Sequence, residues 1–285
     1  MVARSDALFD PAVVAPWELG NGPRGALLLH GFAGTPPELR RLGEYLAAHG
    51  WRCSGPAMAG HGTTPEAMAR TRWQDWASSA ADALDRLAVE CDELVVAGQS
   101  MGGSVALHLA TTDPRIRAVA TLAAPIWLTD WRLKVIGLAK HVQRWHTADP
   151  DDVDLADPAA IEELYSYGRR STSSIHELIR LMGAVRRELP MVRQPVLVLH
   201  GGGDRTVDPR NAADIAARLV CSRDVEVAVL PRSGHAMSVD IDREEVNARV
   251  LGWFDRWVPP PRDQAPAGAG AAVCSILLLQ KCVMD

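Results

Sequence analysis

Leu94-Val95-Val96-Ala97-Gly98-Gln99-Ser100-Met101-Gly102-Gly103-Ser104-Val105-Ala106-Leu107 is the stretch whose reading decides the fold. Its first four residues form a short unbroken apolar run, as a strand buried on both faces would. Ser104 to Ala110 continues as an apolar helix. Between them, Gly98 and Gly102 remove side chains that would collide in a sharp strand-to-helix turn, which forces Ser100 into a strained backbone conformation and projects its hydroxyl. Gly103 lets the helix pack closely. A GxSxG pattern alone arises by chance in roughly one chain of this length in ten, so its seat between strand and helix is what gives it weight. A hydroxyl held clear of the chain suits acyl transfer, because a base can reach it from one side and a carbonyl from the other. The bland alternative is a serine in an ordinary tight turn.

Outward from this turn, Ala26–Leu29, Trp51–Ser54, Ala118–Leu122, Val196–Leu199 and Val225–Leu230 read as further strands. Thr35-Pro36-Pro37-Glu38 predicts a helix start, with Thr35 as N-cap, Pro36 at the first helical position and Glu38 closing a capping box. That helix should run to about His49, where Gly50 supplies its stop. Trp73, Trp76, Ala77, Ala80, Leu84 and Leu87 are spaced for a second helix over Trp73–Glu90. Apolar strands alternating with helices predict an α/β fold, a mostly parallel central sheet flanked by helices. From Ile126 to Pro190 no strand pattern is visible, only helical patterns at Trp131–His141, Ala159–Tyr167 and Ser174–Glu188. We therefore expect a core over residues 1–125 and 191–258, with 126–190 as a helical cap over the strand ends, where open α/β sheets bind ligands. Residues 259–285, rich in Pro, Ala and Gly, read as a tail.

A nucleophilic serine needs a base and a carboxylate. Of the nine histidines, His235 in Pro231-Arg232-Ser233-Gly234-His235 follows the last strand directly, so its ring is delivered at the same sheet edge as Ser100. His61, in Gly60-His61-Gly62, is the rival. Asp204 lies in a flexible turn, His200-Gly201-Gly202-Gly203-Asp204, that opens from a strand end, and the order Ser, Asp, His matches the hydrolase arrangement. Asp130 is the alternative acid. For the oxyanion, Met101 N–H at the helix start is one donor and Phe32 N–H, in the glycine-bounded loop after Leu29, is the second. His30 reads as a brace of that loop. Ile126, Trp127, Leu128, Trp131 and Ile136 offer apolar surface for an acyl pocket, or simply glue the cap to the sheet.

Composition excludes several classes. A net charge of −5, with 30 basic residues scattered along the chain, argues against a nucleic-acid partner. Five cysteines without a CxxC pair indicate neither a disulfide framework nor a zinc knuckle, and fit a reducing cytoplasm. The first twenty or so residues lack the apolar stretch of a secretory signal. Ile276–Leu279 is far shorter than the ~20 residues of a membrane helix, so no integral membrane association is expected.

Taken in order, His30-Gly31-Phe32-Ala33-Gly34-Thr35-Pro36, Gly60-His61-Gly62-Thr63, Gly98 to Gly103, Gly203-Asp204-Arg205-Thr206-Val207-Asp208 and Ser233-Gly234-His235 resemble the bacterial carboxylesterase and monoacylglycerol lipase family. The resemblance covers Pro16 to Val258. It implies a capped α/β-hydrolase fold, its helical cap inserted after strand 6 of that fold's count, with no metal or organic cofactor. It also implies Phe32 and Met101 amides as the oxyanion hole and hydrolysis of short or medium-chain esters or monoacylglycerols. Gln99 stands where this family commonly has leucine, and its side chain is expected to point away from the reaction. Serine at the turn argues against dehalogenase and epoxide hydrolase chemistry. Thioesterase, carbon–carbon hydrolase and acyltransferase activities use the same three residues, and a non-catalytic small-molecule receptor could keep the fold.

Overall fold

A computed structural model of the chain describes residues 9–129, 144–147 and 154–261. Its main sheet has seven strands: β1 (Trp17–Leu19), β2 (Arg24–Leu29), β3 (Trp51–Gly55), β4 (Glu93–Gln99), β5 (Ile116–Leu122), β8 (Val196–Gly201) and β9 (Val225–Leu230). Their order across the sheet is β1-β3-β2-β4-β5-β8-β9. Every neighbouring pair is parallel except β1 with β3. The five predicted strands and the one beside Ser100 are all present, so the sequence reading of a mostly parallel sheet holds.

Side-chain alternation along the strands divides the core in two. On β4, Leu94 and Val96 face one layer while Val95 and Ala97 face the other. The first layer packs α3 (Trp73–Glu90), α4 (Met101–Thr112) and α5 (Thr172–Glu188) through Trp76, Leu84, Val105, Leu181 and Val185. The second packs α1 (Arg40–Ala48) and α7 (Arg243–Trp257) through Leu42, Leu46, Val250 and Phe254. Two short helices complete the set, α2 (Pro65–Met68) and α6 (Arg210–Arg218). With helices on both faces, the only open ground for chemistry is the edge where the strands end and loops begin.

Three local expectations are overturned. Thr35 and Glu38 form no capping box: the Thr35 hydroxyl donates to Tyr165 O at 3.0 Å, and Glu38 turns back to Gly31. The Pro36–Leu39 turn is a 3₁₀ helix that leads into α1. Ala159–Tyr167 is not a helix beyond a 3₁₀ turn at Pro158–Glu163. Tertiary bonds draw Tyr167 out of it, since its N–H donates to Ala33 O and its hydroxyl donates to Gly60 O and accepts from Thr63 N–H. The stretch expected to lack strands holds two, β6 (Trp145–Thr147) and β7 (Arg169–Ser171), paired antiparallel, with the Arg169 guanidinium 4.5 Å above the Trp145 ring. Three polar or aromatic residues per strand carry no readable alternation. The segment from Ile126 leaves the sheet after β5, its fifth strand here; the pattern at Trp131–His141 and residues 262–285 lie outside the described residues. Among the described residues, no helix is long and apolar enough to cross a membrane.

Candidate active site

Ser100 follows β4 and caps α4 at φ 53° and ψ −119°, left-handed backbone that costs a non-glycine residue on the order of 1–3 kcal/mol. What holds it there is close packing of main chain. Ser100 N–H donates to Leu122 O at 2.7 Å, tying the turn to the end of β5. A side chain on Gly98 would overlap the Gly102 backbone, and one on Gly102 would overlap Leu29 O. The glycines are there because α4 starts against the ends of its own strand and of β2.

His235 and Asp204 are carried to this point by the loops after β9 and β8. His235 Nε2 lies 3.0 Å from Ser100 Oγ, and His235 Nδ1 lies 2.8 Å from Asp204 Oδ2. Asp204 Oδ1 accepts from the N–H groups of Thr206 and Val207, at 2.9 and 2.7 Å. The carboxylate is buried. Burial alone would push its pKa up, but bonds from His200 and His235, with the Val207 N–H, hold it well below the ordinary carboxylate range. Four donors thus converge on one anion and fix its orientation.

Further residues position this group, most of them without any signal in their own neighbourhood of sequence. His200 Nε2 lies 3.1 Å from both Asp204 Oδ2 and Val207 O. Because a carbonyl only accepts, that nitrogen carries the proton and donates to the carboxylate as well. Asp154 Oδ2 accepts from the N–H groups of Arg205 and Thr206, while Asp154 O accepts His235 N–H at 3.0 Å, so one residue grips both loops. Asp240 Oδ2 accepts Gly234 N–H at 2.6 Å. Gln99, expected to point away from the reaction, donates through Nε2 to His235 O at 2.6 Å, linking the serine turn to the histidine loop. A polar residue at the end of an apolar strand was the available signal.

The pKa of His235 reflects a contest. Burial opposes a charged ring, but the hydrogen bond and charge of Asp204, helped by Asp154 and Glu38, outweigh it and raise the pKa. A base works only when neutral, so activity is present above this raised pKa and is lost as pH falls through it. The acid limb of kcat/KM should therefore lie above about 6.5, the ordinary histidine value. A profile recorded on the purified protein with a neutral ester would contradict this if the limb fell below that value.

Phe32 lies in the loop after β2 and Met101 at the start of α4, and among the described residues neither N–H has a hydrogen-bond acceptor. His30 does brace the first of these loops. Its Nε2 accepts Met58 N–H at 3.1 Å, leaving Nδ1 to donate to Gly31 O at 2.9 Å, and burial lowers its pKa to about 4. His61 packs its ring 4.9 Å from that of His30 and is likewise buried, its pKa lowered to about 3 by burial and then by His30. Its Nδ1 bonds Ala59 O rather than Ser100. Ile126 is part of the buried core, and Leu128 packs partly buried against it. Trp127 is stapled to α6, its indole N–H donating to Asp214 at 2.7 Å. Asp130, Trp131 and Ile136 lie outside the described residues.

Comparison with known proteins places this geometry. Residues 23–242 match the hydrolase family described as serine aminopeptidase, S33. The chain is 33% identical over 239 residues to a thermostable monoacylglycerol lipase of Bacillus sp. (strain H-257), covering 84% of this chain and 93% of that one. It is 26% identical over 245 residues to a carboxylesterase of Bacillus subtilis (strain 168), covering 85% and 96%. A solved structure from work on LipS and LipT, two metagenome-derived lipolytic enzymes, superposes with a TM-score of 0.80 at 26% identity over 85% of this chain and 98% of that one. The strand order, the strained serine turn and this family match together make the chain an α/β-hydrolase and a member of the serine aminopeptidase, S33, family.

Proposed function

We propose that this chain hydrolyses carboxylic esters through an acyl-enzyme on Ser100. The observation that carries the reading is the unbroken run of contacts from Ser100 Oγ to His235 Nε2, at 3.0 Å, and from His235 Nδ1 to Asp204 Oδ2, at 2.8 Å. His235 takes the hydroxyl proton as Ser100 attacks the ester carbonyl, and the ionised Asp204 stabilises the imidazolium. Phe32 and Met101 N–H groups receive the negative charge that grows on the carbonyl oxygen, each donor contributing on the order of 3 kcal/mol. His235 returns the proton to the departing alcohol; it then activates water, which releases the acid. The named activities of the Bacillus relatives, a monoacylglycerol lipase and a carboxylesterase, support carboxylic esters, monoacylglycerols among them, as the substrate class, and short or medium acyl chains are our proposal within it.

A series of p-nitrophenyl esters from acetate to palmitate, run beside monoacylglycerols of matching chain length, tests both parts of this proposal. Turnover should peak at a short or medium chain, with monoacylglycerols accepted. A protein that takes a fluorophosphonate on Ser100 yet turns over none of these esters would point instead to another acyl substrate.

A further inference from the structure

We propose that Glu38 is a positioning residue of this active site: its carboxyl fixes the oxyanion loop through Gly31 N–H and lends negative charge to the His235 imidazolium that forms during acyl transfer. The inference rests on the ester-hydrolase reading above.

Glu38 belongs to the 3₁₀ turn Pro36–Leu39, and its Oε2 accepts Gly31 N–H at 2.6 Å across seven residues of loop. The loop between them is tightly wound. Gly34 N–H donates to Gly31 O at 3.1 Å, and Ala33 sits at φ 61°. A Cβ at Gly31 would lie 3.3 Å from each Glu38 carboxyl oxygen, and one at Gly34 would lie 2.9 Å from Oε2. Both glycines therefore make room for this carboxyl. The same Cβ position at Gly31 is 3.5 Å from Ser100 Cβ, so the glycine that seats this carboxyl also lies beside the nucleophile. Gly31 N–H is thereby engaged, while Phe32 N–H, the proposed oxyanion donor, has no acceptor among the described residues.

The second half of the proposal is electrostatic. Burial raises the Glu38 pKa to about 7, against the pull of the Gly31 bond and of His235. The groups that bear on it are Gly31 N–H from the loop after β2 and the His235 ring from the loop after β9. On that ring Asp204 and Asp154 act as further anions. The guanidinium groups next along the chain, Arg40 and Arg41, are paired with Glu44 and Glu163. An ionised Glu38 thus adds to the negative field on the His235 ring, and a neutral carboxyl can still accept from Gly31 N–H through its carbonyl oxygen.

Glu38→Gln and Glu38→Ala separate the two effects when compared with wild type by kcat, KM and pH profile on one neutral ester. Glu38→Ala should lose about tenfold in kcat with KM nearly unchanged, as expected when a donor loop loses its support. Glu38→Gln keeps an acceptor for Gly31 N–H and should recover most of that kcat at alkaline pH. In both variants the acid limb of kcat/KM should move to lower pH, by about half a unit, because the imidazolium has lost a nearby anion. Unchanged kcat and an unmoved limb in both variants would overturn the proposal, and a lower kcat with an unmoved limb would overturn its electrostatic half. Labelling of the wild type by a fluorophosphonate keeps the two readings apart. A wild type that neither labels nor turns over esters removes the ester-hydrolase reading itself, whereas a reactive wild type with indifferent Glu38 variants removes only this inference.

Discussion

Ser100→Ala is expected to abolish ester turnover, lowering kcat by about a millionfold while leaving substrate binding and fold in place. The expectation follows from the division of labour at the site. His235 and Asp204 have nothing to activate once the hydroxyl is gone, so their contribution disappears with it. What remains is the proposed oxyanion pair, the Phe32 and Met101 amides, which would still assist direct attack by water. Stability should change by no more than about 0.5 kcal/mol, because the substitution removes one exposed-side oxygen and keeps Cβ. Turnover on a neutral ester, with thermal melting as a control for fold, measures both halves.

Gly102→Ala should also be damaging, by a different route. The added methyl would overlap Leu29 O and come within 2.7 Å of His30 O, and all of these neighbours are main chain that cannot rotate away. The start of α4 must retreat from the end of β2, which costs about 2–3 kcal/mol of stability in overpacking. It also carries Met101 N–H away from Phe32 N–H. A displacement of about 1 Å in such a constellation is worth about a hundredfold in rate. Gly252→Ala on α7 is the matched control, since a Cβ there meets nothing within 4 Å. In an open helix interior the same change should stabilise by up to about 1 kcal/mol. Gly102→Ala should lower both melting temperature and kcat/KM, whereas Gly252→Ala should raise the first and leave the second unchanged; equal behaviour would mean that the close approach of α4 to β2 is not a constraint.

Most of the fold could be read from residues because its strands are apolar on both faces. β2, β4 and β8 each hold an unbroken run of four apolar residues and β5 holds Ala118-Val119-Ala120, and no partner strand is needed to recognise them. β1 escaped because Trp17-Glu18-Leu19 is three residues long and pairs antiparallel at the sheet margin. At the site, Ser100, Asp204 and His235 were legible for a related reason. Each sits where a strand gives way to a glycine-containing turn, so its side chain has one place to go.

The residues that hold them were not legible, since their partners are far away along the chain. Asp154 meets Thr206 across 52 positions and Gln99 meets the His235 carbonyl across 136, and no local pattern foretells such pairs. Glu38 was worse than silent. Its spacing from Thr35 satisfies the capping-box rule, but the glycines at 31 and 34 leave a hollow in which a carboxylate meets an unengaged N–H, and that stronger bond wins. His200 had the opposite problem. A histidine closing an apolar strand reads as packing, and only the fold of the following turn, bringing Asp204 back over it, gives its ring a partner.

The central claim is that an imidazole makes one hydroxyl nucleophilic at neutral pH. Reaction of the purified protein with a fluorophosphonate, followed by mass analysis of its peptides, reads this directly. We expect a single adduct on Ser100, formed with a rate that falls as pH drops through the His235 limb and lost in His235→Ala. Labelling at another residue, or equal labelling of Ser100 with and without His235, would contradict it.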